Sequence, residues 1–530
     1  MNAPLHPELW QRARAQVVAV PAIYGNVDFD AQPYRFATAP DDVSTLPEAL
    51  TGERPRVLAD AQAVDLVRAY TMMGDIVADA YAALIPTYGL QTLIAMLVTA
   101  CDKGIDAVAD APAELAAFIA HMERTPEWLD MALVEAGARH DRNSTANLSP
   151  FVIRGAFLAT FLNKYSALPM ALTGSLSNVT AARRVKETAT FFATTVLPGA
   201  LERHGPGFKA AAMVRLMHSM VRFNVMRRPG MWDLAEFGVP IPQVDQMPAG
   251  LIPIFLMSYE IIGKGGTEFT GIQRAQVELA RYRCYLLGLP EELLPDTPQG
   301  IVDVMNTRFA TLRDGYDDAT CGALLRATMA TRLFPDDSLS AWVLNRIEHR
   351  FSRKFFVGTM LGGNTERAAQ AGVVLDGRDH LLHGVASLFI VGRIIAYKVA
   401  DRIPVVRDIA DRRLVRRIER QLARYGRAEF VSDGAHYKPA VVVPAAAASV
   451  AVALPVALPC PLRWLAKARV LSNSSIIRRG SASFSRKAAG RTSLSTSAPL
   501  SGPAMGIPWK VIASATMWKR DGMAASPPST

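Results

Sequence analysis

Four cysteines in 530 residues, with no CxxC spacing among them, exclude a disulfide framework, a zinc ribbon and a thioether-linked cofactor. The first residues, MNAPLHPELWQRARAQ, hold no apolar run and no twin arginine, so the expected location is the cytoplasm. The sequons at Asn143, Asn147 and Asn178 carry no meaning there. No run of alternating polar and apolar residues bounded by turn signals argues for a sheet. Acidic residues are scarce at one end only: residues 435–530 hold one Asp against 12 Lys and Arg. The formal charge of +10 therefore belongs to that tail, because residues 1–434 hold 46 basic against 47 acidic groups. A body so close to neutral excludes nucleic acid as its expected partner.

What is present is apolar and helical in period. Hydrophobic residues make up 50% of the chain, enough for a substantial core. From Asp60 to Arg427, segments such as AVDLVRAYTMMGDIVADAYAAL, RRVKETATFFATTVL and QVELARYRCYLLGL repeat apolar residues every three or four positions. Breakers separate them at Ile85-Pro86, Leu197-Pro198-Gly199, His204-Gly205-Pro206-Gly207 (HGPG) and Pro240-Ile241-Pro242. The pattern predicts an all-α body between an irregular N-terminal arm, 1–58, and a low-complexity basic tail, 431–530, with residues 59–430 as the functional domain. In the tail, PAVVVPAAAASVAVALPVALPCPL is uncharged over the length of a membrane span, but Pro444, Pro455, Pro459 and Pro461 interrupt it. The Ser, Arg and Gly-rich remainder is expected to be disordered. LLHGVASLFIVGRIIAYKVA contains Arg393 and Lys398, which predicts a core helix rather than a span. In the 409–425 helix, Leu414, Ile418 and Leu422 form a stripe among arginines. That is a solvated face, or a peripheral contact with an anionic membrane surface.

Chemistry concentrates in MVRLMHSMVRFNVMRR, where Arg215, His218 and Arg222 stand at i, i+3 and i+7. At 100° per residue they lie within roughly 60° of one another on an otherwise apolar helix. Unpaired, each cation would cost several kcal/mol to desolvate. The face therefore asks for something anionic that also accepts a nitrogen ligand. Upstream, AARRVKETATFFATTVL places Arg184, Glu187, Thr188 and Phe191 on one face of a preceding helix. A haem suits such a pair of helices: a neutral imidazole for the iron, cations for the propionates, and an apolar wall with a few polar groups. A hydrogen-bonded core histidine explains the same residues equally well. Two weaker motifs have plainer readings. Gly263-Lys264-Gly265-Gly266-Thr267 lacks the full phosphate-loop pattern, and Asp379-His380 with His383 has no further metal ligands nearby.

RRVKET, then VRLMHSMVRF with thirty residues between Thr188 and His218, then FGVPIPQVDQMPAGLIPIF and YRCYLLGLPEELLPDT, resemble the mpaB and rubber oxygenase (latex-clearing protein) family of haem-b oxygenases. The resemblance covers residues 60–425 and is strongest over 180–300. It implies a globin-like helical core with extra helices, binding haem b. It implies His218 as the iron ligand, Arg215 and Arg222 as arginines needed for the haem, and Arg184 and Thr188 as residues of the opposite side. Rubber-cleaving members carry a Lys directly before the Thr; this chain has Glu187. That departs from a lysine-capped iron and from polyisoprene as substrate. It leaves an apolar isoprenoid- or lipid-like molecule, O2 as co-substrate, oxidative C=C cleavage to carbonyl products, and Glu187 as a base. Two other classes stay open: a non-catalytic haem protein that senses or carries a gas, and an all-α anion- or lipid-binding protein without haem.

Overall fold

The computed structural model describes residues 4–174, 178–334 and 337–426, together with Ala428, Phe430 and Tyr437. The described residues are all-α, as expected. Extended pairing among them is confined to two isolated bridges, Phe36 with Leu312 and Ser44 with Arg313. Apart from Tyr437, the expected disorder of the tail concerns residues outside those described.

The arm expected to be irregular is so over residues 25–47 but helical on either side. Pro7 opens a helix, Pro7–Ala19, with the fixed φ that suits a first turn. Leu9, Trp10 and Ala13 are buried in the same core cluster as the rest of the body. Trp10 donates its indole N–H to Asp65 at 3.1 Å. Further along, the buried Arg54 guanidinium donates to the carbonyls of Ala37, Ala39, Pro40 and Ala310, tying the arm to the end of the Pro298–Thr311 helix. Short helices at proline punctuation were obscured in the sequence because each is little more than one to three turns long.

The centre of the molecule is the 21-residue helix Pro206–Met226. It packs against helices Ile76–Ala82, Leu90–Lys103, Asn178–Thr194 and Gly271–Leu286. Leu216, Met220 and Val225 are among the fully buried apolar side chains that this position supplies. The chain reaches it through a tight turn in which Gly199 takes φ +65° and ends the preceding segment. A Cβ on Gly205 would lie 2.3 Å from the Ala200 carbonyl oxygen, so only glycine fits there. The HGPG motif is thus what brings the two candidate site helices together.

One expectation about the periphery is overturned. Gly377–Asp401, predicted as a core helix, is largely exposed along one side. It is the one helix among the described residues long and apolar enough to cross a membrane, by length and composition only. Asp379 and Arg393 turn toward the protein, while Arg378 and Asp401 at its two ends are exposed. Asp379 is fully buried and pairs with Arg350 at 3.0 Å, and Arg393 donates to Asn147 at 3.0 Å. Counting charges along the sequence could not show which side of the helix they occupy.

Candidate functional site

The anion that the arginine face asks for lies within the protein. Arg215 forms a two-armed pair with Asp75, Nε to Oδ2 at 2.6 Å and Nη2 to Oδ1 at 2.8 Å. About two turns on, Arg222 Nε reaches both oxygens of Asp79, at 2.8 and 3.0 Å. Asp75 is the N-cap of helix Ile76–Ala82 and Asp79 stands four residues into it, so two carboxylates on one short helix meet two arginines on another. The remaining Arg222 donors go to the Ile241 carbonyl, 2.8 Å, and Ser219 Oγ, 3.1 Å. The Tyr24 hydroxyl donates to Asp79 as well. Space for this network comes from glycine. A Cβ on Gly74 or Gly288 would press into Asp79 or Asp75, and Gly288 has φ +88°.

Both pairs are almost free of solvent, Arg222 and Asp79 completely so. Burial would raise the carboxylate pKa of Asp75, but Arg215 overcomes it and holds the group below its ordinary value. For Asp79, burial prevails over Arg222 and the pKa is raised. The expected task of Arg215 and Arg222, neutralising an external anion, is therefore already met by internal partners. What they do in this arrangement is fix the rotation of the Pro206–Met226 helix.

That rotation sets His218. The ring is half-buried, whereas its Nδ1 is sealed from solvent and has no hydrogen-bond partner. Gln246, from helix Gln243–Gly263, lies close enough to favour the charged ring, yet its own Oε1 is also unpartnered; its amide nitrogen donates to Gln243 instead. Gln246 is thus the polar side chain that faces the ring. Burial first, then the nearby charges of Arg222 and Arg184, push the imidazole down to about 4, so it is neutral at neutral pH. A satisfied core histidine would have both nitrogens paired or one exposed.

On the neighbouring helix, Asn178–Thr194, Arg184 and Glu187 are buried and Thr188 is half-buried. Arg184 Nη1 donates to Glu187 Oε2 at 2.9 Å and contacts Met217 Sδ at 3.0 Å, which places the guanidinium beside the residue preceding His218. Its Nε has no partner. Glu187 Oε1 accepts the backbone N–H of Phe430 at 3.1 Å, and Phe430 is itself part of the main core cluster. Both carboxylate oxygens are therefore engaged, each keeping one further lone pair.

The sequence-predicted residues thus divide. Arg184, Glu187 and His218 share one neighbourhood, with Thr188 on the turn that carries Glu187, while Arg215 and Arg222 act one layer behind. Four participants were missed. Asp75 and Asp79 had a signal, two carboxylates four apart in the apolar MGDIVADAY. Gln246 sits in a quoted motif, but nothing marked it out. Phe430 contributes a backbone group, which no side-chain pattern encodes. The weaker motifs keep their plain readings: Lys264 pairs with Glu260 at 2.5 Å, and His383 stacks on Phe351 at 4.4 Å.

Residues present fit a haem. The neutral imidazole of His218 would hold the iron, and the unpaired Arg184 Nε–H would meet a carboxylate. A porphyrin brings four nitrogens of its own, so one protein ligand suffices. Among the described residues, no group of three His, Cys, Asp or Glu is placed to hold a bare metal ion. A separate cavity of about 440 Å³, lined by Val134, Ala138, Thr195 and Leu201 among others, does not count His218 among its walls.

Residues 145–375 match the family described as ER-bound oxygenase mpaB/B'/Rubber oxygenase, catalytic domain. The matched segment contains Arg184, Glu187, Thr188 and His218 but neither Asp75 nor Asp79. A solved structure of latex clearing protein LCP in the closed state is similar at 17% identity and a TM-score of 0.46, over 65% of this chain and 91% of that one. No curated protein matches the chain.

Proposed function

We propose that this chain, whose residues 145–375 match the mpaB and rubber oxygenase catalytic-domain family, is a haem-b-dependent oxygenase of an apolar, isoprenoid- or lipid-like substrate. The observation that carries the haem assignment is the neutral, half-buried imidazole of His218 beside Arg184, whose Nε is without a partner. When bound there, haem would supply the iron centre that activates O2. The Arg215–Asp75 and Arg222–Asp79 pairs hold His218 in one orientation, as outer partners of a ligand do. Arg184 places a positive charge beside the ligand helix, suited to polarising an oxygen atom as it gains negative charge. The Thr188 hydroxyl, on the same stretch of helix, donates or accepts a hydrogen bond as the substrate requires. Glu187 is the proton acceptor, through a lone pair left free by Arg184 and Phe430. Cleavage of one C=C bond by one O2 gives two carbonyl groups, so the overall reaction balances without an external reductant. Residues 4–430 form the catalytic unit in this reading, because the N-terminal arm and Phe430 share its core.

The test is an absorption spectrum of the purified protein and of two variants. His218→Ala is expected to lose the Soret band while the helical circular-dichroism signal survives. Glu187→Gln is expected to keep the band and lose turnover of an unsaturated lipid by roughly 100-fold or more. A fully haem-loaded His218→Ala protein would remove the assignment.

A further inference from the structure

From residue 381 to residue 399, every exposed position of helix Gly377–Asp401 is apolar: Leu381, Gly384, Val385, Leu388, Phe389, Gly392, Ile395, Ala396 and Val399. The large side chains among them are between 49% and 67% exposed. Their spacing follows i, i+4, i+7 and i+11, so they form one continuous stripe about 27 Å long. A water-facing helix normally carries its charges on this side. Here Asp379, Arg393 and Lys398 are on the packed side or half-buried, and the free side holds no charge at all. The amphipathic pattern is inverted.

The next helix, Pro404–Tyr425, starts within three residues and continues the theme with a graded outer face. Val405 and Ile409 are exposed at its beginning; Arg412, Arg416 and Arg420 follow at i+7, i+11 and i+15 on the same side. Among the described residues, Arg378, Arg402, Arg412, Arg413, Arg416, Arg420 and Arg424 have no carboxylate partner. Residues 401–426 contain eight Arg against four Asp and Glu. A second copy of this chain docked on the stripe through a two-fold axis would bring two such basic segments together. An anionic bilayer instead offers acyl chains to the stripe and headgroups to the arginines.

We propose that the apolar face of Gly377–Asp401, with the first two turns of Pro404–Tyr425, seats in the surface of an anionic lipid bilayer. Arg412, Arg416 and Arg420 then lie at headgroup level. The helix does not cross the bilayer, since its other side packs on helices Met131–Asn147, Leu339–Phe355 and Pro404–Tyr425. Both segments lie outside the family match, which ends at residue 375. The surface also bears on the proposed substrate: helix Pro404–Tyr425 runs from the lipid face to the chain whose Phe430 caps Glu187.

The experiment is flotation of the full chain with vesicles of phosphatidylcholine alone and with about one third phosphatidylglycerol. Wild type is expected to float with the anionic vesicles and to bind the neutral ones more weakly. Leu388→Glu with Val385→Glu should reduce binding to both about tenfold or more, with unchanged circular dichroism, because both positions are exposed. Arg412→Glu with Arg416→Glu should abolish only the preference for the anionic lipid. Absence of flotation, or Leu388→Glu/Val385→Glu binding like wild type, overturns the proposal; so does a dimer that Leu388→Glu dissociates in protein that never binds vesicles. Flotation needs neither haem nor turnover, so failure here is distinct from failure of the oxygenase reading.

Discussion

Removing the Arg222 guanidinium distinguishes a protein-held arginine from one reserved for an external anion. Arg222→Met keeps most of the side chain's length and leaves Asp79 buried, with the Tyr24 hydroxyl as its remaining strong partner. Breaking a fully buried pair costs about 3–5 kcal/mol, because the surviving charge is stranded. At about 2.1 cal/mol/K per residue, the unfolding entropy of some 420 residues is roughly 0.9 kcal/mol/K, so the apparent Tm should fall by about 3–6 °C. The loss should shrink as the pH is lowered. Asp79 already has a raised pKa, and without Arg222 it takes up a proton more readily and ceases to be a buried charge. Adding Asp79→Asn removes that charge at every pH and should return about half of the loss or more. The assay is thermal unfolding of the four proteins of the cycle, with and without haem. If Arg222→Met melts like wild type without haem and differs only in haem affinity, the arginine serves the cofactor directly and the internal pairing is wrong.

Three further outcomes follow from the geometry. Arg184→Ala and Thr188→Ala should retain haem and lose rate, checked by the Soret band and by O2 consumption with an unsaturated lipid. Stability should fall as the pH drops from about 6.5 to about 4: His121 and His383 are each lowered to about 4 by burial, so they stay neutral when folded and protonate on unfolding. Each adds up to about 1.4 kcal/mol per pH unit across that window, and His121→Gln should flatten the slope of Tm against pH. A chain ending at residue 434 keeps Phe430 and should bind haem, whereas one ending at residue 426 loses the N–H that caps Glu187 and should melt earlier by differential scanning fluorimetry.

The helical class was legible because apolar spacing survives whatever a helix packs against. The two candidate site helices were legible too, since Pro198-Gly199 and the HGPG turn are punctuation that only one local geometry satisfies. The division of labour among the cations was not. Arg215 and Arg222 share a face with His218, and a face is a property of one helix; which carboxylate meets it is decided by the fold, across 140 and 143 residues of sequence. The same limit explains Glu187. Its pairing with Arg184 three residues away is readable from helical spacing, but the N–H that occupies its other oxygen comes from residue 430, beyond any local pattern.

The limit also explains the one helix assigned to the wrong environment. Arg393 and Lys398 in an apolar run argue for a core helix rather than a membrane span, because a charge within a bilayer is costly. That cost applies only if the charge faces lipid. Arg393 points at Asn147, and the residues left outside are Leu381, Val385, Leu388, Phe389, Ile395 and Val399. In both helices, then, the charges nearest the middle are satisfied from within: Arg215 and Arg222 by Asp75 and Asp79, and Arg393 by Asn147. The arginines that looked like a cofactor's counter-ions hold the His218 helix to its neighbour, and the charges that looked like a barrier to lipid fasten an apolar face to the protein. What remains for outside partners is what each helix leaves unsatisfied: one imidazole nitrogen in the first, and an uncharged stripe in the second.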